Sequence, residues 1–231
     1  MAGYGWGIGT TDVAVSSRLA RWRGGRILHP RGLSFTAEVE LWGPLADRLA
    51  GDPGRYPGTV RLSRGTPTPE GWPDLLGLAV RLHTPGGPFD LLLSGAGRAP
   101  LLRHLPMPHR DYAGPYGSLL AYRFDGRRTY LLARADRPLG SSLDEVAEVA
   151  ARGEARLDLL AAAPGGRWHA FGRVVLGTRL PAEVDAALAF APDGRRGSEL
   201  RPRGLLQRVR EFSYSFSQRG RGAAKDQTRL P

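Results

Sequence analysis

The chain has 231 residues, 41% of them hydrophobic, and a formal net charge of +11. This length fits one large domain or two small ones, with enough apolar residues for a sizeable core. The absence of cysteine excludes disulfides, thiolate ligands and cysteine nucleophiles. No apolar run reaches the roughly 18 residues that a membrane-spanning helix needs. The glycine-rich start, Met1 to Ile8, lacks the basic-then-apolar order of a signal peptide. These features fit a cytoplasmic protein with no membrane partner. A basic balance points to anionic partners. Of the 33 basic residues, however, only Lys225 is a lysine, and the arginines spread along the whole chain. No strand face interleaves aromatic and basic residues, so nucleic acid is not the expected partner.

In chain order, residues 1–25 read as an arm. Strand-like segments follow at about 33–42, 58–63, 76–84, 88–94, 118–124, 127–134, 155–162 and 168–177. In the first, Phe35, Ala37, Val39 and Leu41 recur with period two. Pro85-Gly86-Gly87 and Asp125-Gly126 read as hairpin turns. Ser141-Ser142-Leu143-Asp144-Glu145 opens a helix to about Arg152, with a serine cap and an acidic first turn. Pro181-Ala182-Glu183 opens a second. A third runs from about Pro202 to Gln218, with Leu205, Val209, Phe212 and Phe216 on one face. The expected fold is α+β, mainly β: a closed antiparallel β-barrel of about eight strands with flanking helices. A barrel of that size holds side chains or one ligand.

Three places carry residue types suited to chemistry. Arg26-Ile27-Leu28-His29-Pro30-Arg31-Gly32 puts a histidine at a strand mouth, where it acts as an acid and base or as a hydrogen-bonded structural residue. In Val60-Arg61-Leu62-Ser63, Arg61 and Ser63 share one strand face. If that face points inward, the buried guanidinium needs a partner. An anionic ligand group is one solution, and a carboxylate such as Asp74 or Glu38 is the other. Near the C-terminus, Arg210 and Tyr214 lie four apart on one helix face, with Arg221 seven residues beyond. A cation beside a phenol favours the phenolate, a hard ligand for ferric iron. The alternative is a tyrosine packed by its ring beside exposed arginines. The remaining histidines, His83, His104, His109 and His169, read as structural or exposed. Trp72 and Trp168 read as packing residues, and Trp42 as a seat for the barrel. There is no Gly-x-Ser-x-Gly elbow and no compact cluster of metal-ligating residues.

Taken in order, these segments resemble the haem catalase superfamily. Arg26 to Gly32 follows that family's Arg-x-x-His-x-Lys/Arg-Gly pattern. Val60 to Ser63 follows Val-Arg-Phe-Ser, with Leu62 for Phe. Asp74 to Leu91 follows Asp-x-x-Gly-Phe-Ala-x-Lys-Phe and its Asp-Leu return, with Leu78 for Phe and Arg81 for Lys. Arg210, Phe212, Tyr214, Gln218 and Arg221 follow Arg-x-Phe-x-Tyr-x-x-Thr-Gln and a later arginine, with Ser217 for Thr. Phe171 to Leu176 and Leu180 to Phe190 are similar to the last barrel strand and its lead-in to the ligand helix. The likeness spans about residues 26–95 and 168–222.

The resemblance implies a barrel over 26–222 that binds haem b iron, with a tail at 223–231. Tyr214 would be the metal ligand, held as phenolate by Arg210. His29 would be the distal acid and base, oriented by Ser63. Arg26, Arg61 and Arg221 would meet the haem carboxylates. The implied activity is that of a haem-dependent peroxidase acting on hydrogen peroxide or organic hydroperoxides, with a small organic reductant. A slow true catalase and a haem carrier or sensor are the other readings, and a homo-oligomer fits all three. Two departures bear on chemistry. Ser94 stands where the family has its distal asparagine, four residues after Asp90, and offers one hydrogen and no amide. The Phe-rich distal segment is replaced by Pro100 to Met107, which implies a more open pocket. The chain is also about half the usual family length.

Overall fold

A computed structural model of the protein describes residues 31–190 apart from 67, 100, 101, 104, 120 and 125. The expected arm, Arg26, His29, the C-terminal helix with Arg210, Tyr214 and Arg221, and the tail lie outside the described residues, as does His104. Nine strands are described: β1 (Arg31–Leu41), β2 (Gly54–Arg64), β3 (Leu76–Thr84), β4 (Gly87–Gly95), β5 (Tyr116–Gly117), β6 (Tyr122–Phe124), β7 (Arg127–Ala135), β8 (Arg156–Ala162) and β9 (His169–Arg179). Three short helices accompany them: α1 (Pro44–Leu49), α2 (Leu143–Ala151) and α3 (Ala182–Ala187).

All pairings are antiparallel, in the order β5-β4-β3-β2-β1-β9-β8-β7-β6. The further pairing of β5 with β7, Tyr116 with Ala133 and Gly117 with Leu132, closes eight of these strands into the expected barrel. Closure removes the exposed backbone edges that an open sheet would present.

The period-two pattern of the sequence decides which residues fill the lumen. Phe35, Val39, Val60, Leu62, Leu78, Val80, Leu91, Leu131, Leu157, Leu159, Val174 and Leu176 are all buried and belong to one continuous core. The lumen is therefore packed with side chains. Arg61 and Ser63, with opposite parity to Val60 and Leu62, sit on the outer face of the wall, so the inward-facing alternative for them is corrected. Both are still buried there, each 5% exposed.

The turns form as their residues dictate. Thr84 pairs with Gly87 across Pro85-Gly86, and Gly87 takes φ +104°, a conformation that glycine adopts without a Cβ clash. Phe124 pairs with Arg127 around Gly126, at φ +74°. Helix α2 starts with the expected cap: the Ser142 hydroxyl accepts from the Glu145 N–H at 3.2 Å, and the Glu145 carboxylate accepts from the Ser141 N–H at 2.8 Å.

Of the expected strand over 118–124, only Tyr122–Phe124 is described as strand (β6), and β5 lies just before it at Tyr116–Gly117. Leu119 takes φ +53°, which turns the chain out of the sheet, and the Ser118 hydroxyl accepts the Leu131 N–H at 3.2 Å. Helix α1 had no sequence signal beyond Pro44, since its six residues span under two turns. Trp72 is 64% exposed and is not the packing residue expected. Trp42 does brace the barrel edge, donating from Nε1 to the Ala170 carbonyl at 3.2 Å.

Phe35 is fully buried at the centre of the lumen. Its replacement by alanine should leave a cavity and lower stability by about 3–5 kcal/mol. Urea unfolding followed by circular dichroism measures this; a loss under about 1 kcal/mol would mean that the lumen is not tightly packed.

Candidate active site

The outer face of β1–β5 carries a row of directly paired residues: Gly32, Ser63, Gly77, Ser94 and Gly117. Paired residues project to the same face, so two hydroxyls rise from an otherwise bare floor. Neighbouring strands lie about 4.8 Å apart, which puts Ser63 and Ser94 roughly 10 Å from each other across Gly77. The pairing runs without a break from Arg81–Asp90 to Gly77–Ser94, so no bulge displaces Ser94 from the position counted from Asp90.

The two serines differ in their hydrogen bonding. Ser63 donates to the Gly77 carbonyl at 3.3 Å. Its only proton is thereby engaged, and its lone pairs remain as acceptors. The Ser94 Oγ is buried with no hydrogen-bond partner. A buried hydroxyl without a partner costs about 1–3 kcal/mol, and such a group marks a place where a ligand or water completes the structure.

The next rows are closed by the α3 segment. Asp185 accepts from the Arg61 Nε at 3.0 Å and from the Ser34 hydroxyl. The carboxylate beside Arg61 is therefore Asp185 and not Asp74 or Glu38. Glu38 pairs with Arg55 at 3.4 Å on the surface. Arg81 forms a forked pair with Asp90, at 2.7 Å for both bonds, and its guanidinium lies 4.9 Å from the Phe190 ring centre. The hydrogen bond from Arg81 to Asp90 stabilises the charged guanidinium and raises its pKa, against the opposing effect of burial. These contacts fasten residues 185–190 across β2 and β3, beside the serine row.

Asp74 lies at the other end of β2, on the luminal side. It is buried, 3.2 Å from the Arg64 Nε, and accepts from the Thr66 hydroxyl at 2.7 Å and the Leu75 N–H at 2.7 Å. This group ties the barrel end together and does not meet the serine row.

The three buried tyrosines are not poised as phenolates. Burial pushes Tyr112 and Tyr122 up to about 12 and Tyr116 well above its ordinary value, the opposite of what a phenolate requires. Among the described residues no three His, Cys, Asp or Glu gather into a metal-ligating group. What the described residues supply on this face is two hydroxyls, a glycine floor and a buried guanidinium. Of the residues expected at the site, the structure brings Arg61, Ser63 and Ser94 onto one face.

The histidines follow the expectation where they are described. His83 and His169 are exposed. His109 is half-buried and its Nε2 lies 3.1 Å from the Ala96 carbonyl, with its backbone paired to Asp74. Desolvation lowers its pKa, partly offset by the Ala96 hydrogen bond, while the Arg98 charge lowers it further. A depressed folded-state pKa means that the unfolded chain binds the proton more tightly. Stability from His109 is then complete above about pH 6.5 and is lost as the pH falls below it. Unfolding free energies at pH 7.5 and pH 5 should differ less in His109→Gln than in the wild type. An equal difference in both would remove His109 as the cause.

Sequence reasoning missed Asp185, Arg103 and Trp168 as neighbours of this wall. Asp185 had no signal, because its partner is 124 residues away in sequence. Trp168 was legible only as an aromatic residue.

No protein-family model matches the chain, and no curated protein matches it by sequence. Solved structures do match. A bacterial catalase is similar over 94% of this chain and 62% of its own, at 17% identity and a TM-score of 0.55. Catalase A from Saccharomyces cerevisiae is similar over 94% and 66%, at 14% identity and a TM-score of 0.57. A fungal catalase is similar over 94% and 64%, at 15% identity and a TM-score of 0.62. The chain thus spans just under two thirds of those proteins, more than the half expected from its length. No helix among the described residues is long and apolar enough to cross a membrane. At such low identity the likeness is one of fold, and on that ground the chain has a catalase-like fold.

Proposed function

We propose that the protein is a haem-dependent oxidoreductase of the peroxidase type, acting on hydrogen peroxide or organic hydroperoxides, with haem b bound against the outer face of β1–β5. The observation that carries this reading is the unbroken register placing Ser63 and a partnerless Ser94 on one bare, buried row of a catalase-like barrel. A carrier or sensor would need no such pair of hydroxyls.

Tyr214 is the residue for the iron, with Arg210 favouring its phenolate. Arg26 and Arg221 are suited to the cofactor carboxylates. Arg61 is bonded through its Nε to Asp185, so it would meet a cofactor carboxylate only alongside that one. The haem supplies the redox chemistry that cleaves the O–O bond.

The chain's own residues move the proton. Ser63 has spent its proton on Gly77, so it presents an acceptor. An imidazole N–H is the complement. A His29 ring bonded in this way would donate from one nitrogen and keep the other as a base toward the peroxide. Ser94 would give one hydrogen bond to the peroxide oxygens. Asparagine in its place would reach farther and donate from an amide. The serine therefore leaves more room and less help for hydrogen peroxide, which favours larger hydroperoxides. A small organic reductant would complete the cycle, and the assembly would work as a monomer or a homo-oligomer.

Turnover of cumene hydroperoxide with an organic reductant tests the reading. His29→Ala should lower kcat/KM by about 10²–10⁴-fold, the usual worth of a positioned acid and base. Ser63→Ala should lower it less, through a misoriented ring, and Ser94→Asn should raise the ratio of hydrogen peroxide to cumene hydroperoxide turnover. Haem-loaded wild type with no peroxide turnover, or a His29→Ala variant as active as wild type, would contradict the proposal.

A further inference from the structure

Arg103 is an unusual cation. It is 2% exposed, yet among the described residues no carboxylate pairs with it. Its partners are two backbone carbonyls, Ala163 at 3.3 Å and Gly166 at 3.0 Å, and the face of Trp168, with 4.5 Å from the guanidinium carbon to the ring centre. Its Nε has no partner. Burying a charge with so little compensation is costly, so the cost is met where geometry is gained.

The geometry gained is a clasp between two connections. Arg103 lies in the segment after β4, and Ala163 to Trp168 join β8 to β9. Trp168 closes the clasp from the other side, donating from Nε1 to the Arg98 carbonyl at 3.3 Å. The chain is thereby tied down at Arg98 and at Arg103, whose N–H also bonds the Ala99 carbonyl at 3.0 Å.

What the clasp holds in place is the end wall of the serine row. A Cβ on Gly117 would meet the Ala96 Cβ at 2.8 Å and the Arg103 carbonyl at 3.4 Å. Gly117 pairs with Ser94 and projects to the same face. Ala96 and the Arg103 carbonyl therefore lie over Gly117, beside Ser94. The same segment exposes Leu102, at 40%, so the wall has an apolar member at its surface.

We infer that Arg103, through Trp168, is a positioning residue that fixes this wall and so sets the largest molecule able to reach Ser94. This deepens the peroxidase reading and rests on it for its biological meaning, since the size limit would select among hydroperoxides. The wall itself is independent of cofactor. Ranked by the strength of the holding contact, the first group to loosen should be the turn 97–103, with the barrel strands unchanged.

The chain has no native cysteine, so Ser94→Cys places a single reporter thiol at the row. Its modification is followed with iodoacetamide, a small reagent, and with N-(1-pyrenyl)maleimide, a bulky one. Each is used on Ser94→Cys alone and combined with Arg103→Lys, Arg103→Met or Trp168→Leu. Losing hydrogen bonds from a charged group makes local opening roughly tenfold easier or more. The bulky reagent should therefore react about tenfold faster once Arg103→Met or Trp168→Leu removes the clasp, with the iodoacetamide rate changing far less. Arg103→Lys, which keeps the charge but loses the fork and the planar stack, should fall between. In the haem-loaded protein with Ser94 intact, the same clasp variants should lower KM for cumene hydroperoxide relative to that for hydrogen peroxide while kcat holds. Equal acceleration of both reagents, or none, would overturn the proposal. Because thiol access needs no haem, that result stands apart from a failure of the peroxidase reading, which would appear as absent turnover with the thiol rates behaving as expected.

Discussion

Closure of the sheet between β5 and β7 is the constraint on which the rest of the structure depends. Among the described residues its ladder consists of two pairs, Tyr116 with Ala133 and Gly117 with Leu132, flanked by the Ser118–Leu131 and Ala135–Ala113 backbone hydrogen bonds. With the sheet closed, every strand has a luminal and an outer face, and the period-two pattern divides the side chains between them. The luminal set is apolar and complete. The polar residues of β2 and β4 are then forced outward, where Ser63 and Ser94 fall into one row. Had the register slipped by one residue, those hydroxyls would point into a packed lumen and could meet no ligand.

The outer face of β1–β5 is not an ordinary solvated surface. Arg61 and Ser63 are buried there, and the 185–190 segment is fastened across it by Arg61–Asp185 and Arg81–Asp90. On the far side, the turn held by Arg103 and Trp168 covers Gly117. The serine row therefore lies between two walls held by arginines. Each arginine is held differently: Arg61 by a carboxylate, Arg81 by a forked pair and a ring, and Arg103 by carbonyls and a ring. A face built in this way has a fixed floor and flanks whose tightness depends on single side chains.

Much of the fold was legible in the sequence because closed antiparallel barrels write themselves as alternation and turns. Phe35, Ala37, Val39 and Leu41 announced β1, and Pro85-Gly86-Gly87 announced the β3–β4 hairpin. The break at Leu119 was not legible, since nothing local distinguishes a residue at positive φ from its neighbours when it is a leucine. The face on which Arg61 lies could not be settled by parity alone: alternation separates two faces but does not say which one is the lumen. Asp185 and the Arg103–Trp168 clasp were invisible for a further reason. Their partners are distant in sequence, and a cation held by backbone carbonyls leaves no complementary residue type to look for. Only the resemblance of the ordered motifs groups His29, Ser63 and Tyr214 in the proposed site; spacing does not.

The most direct test of the account is the absorption spectrum of the protein expressed with haem supplied, compared with Tyr214→Phe and with Tyr112→Phe, whose buried phenol belongs to the barrel end. The account predicts a Soret band with a high-spin ferric pattern in the wild type, unchanged in Tyr112→Phe and altered or lost in Tyr214→Phe. A wild type that takes up no haem, or a Tyr214→Phe spectrum identical to that of the wild type, would contradict it.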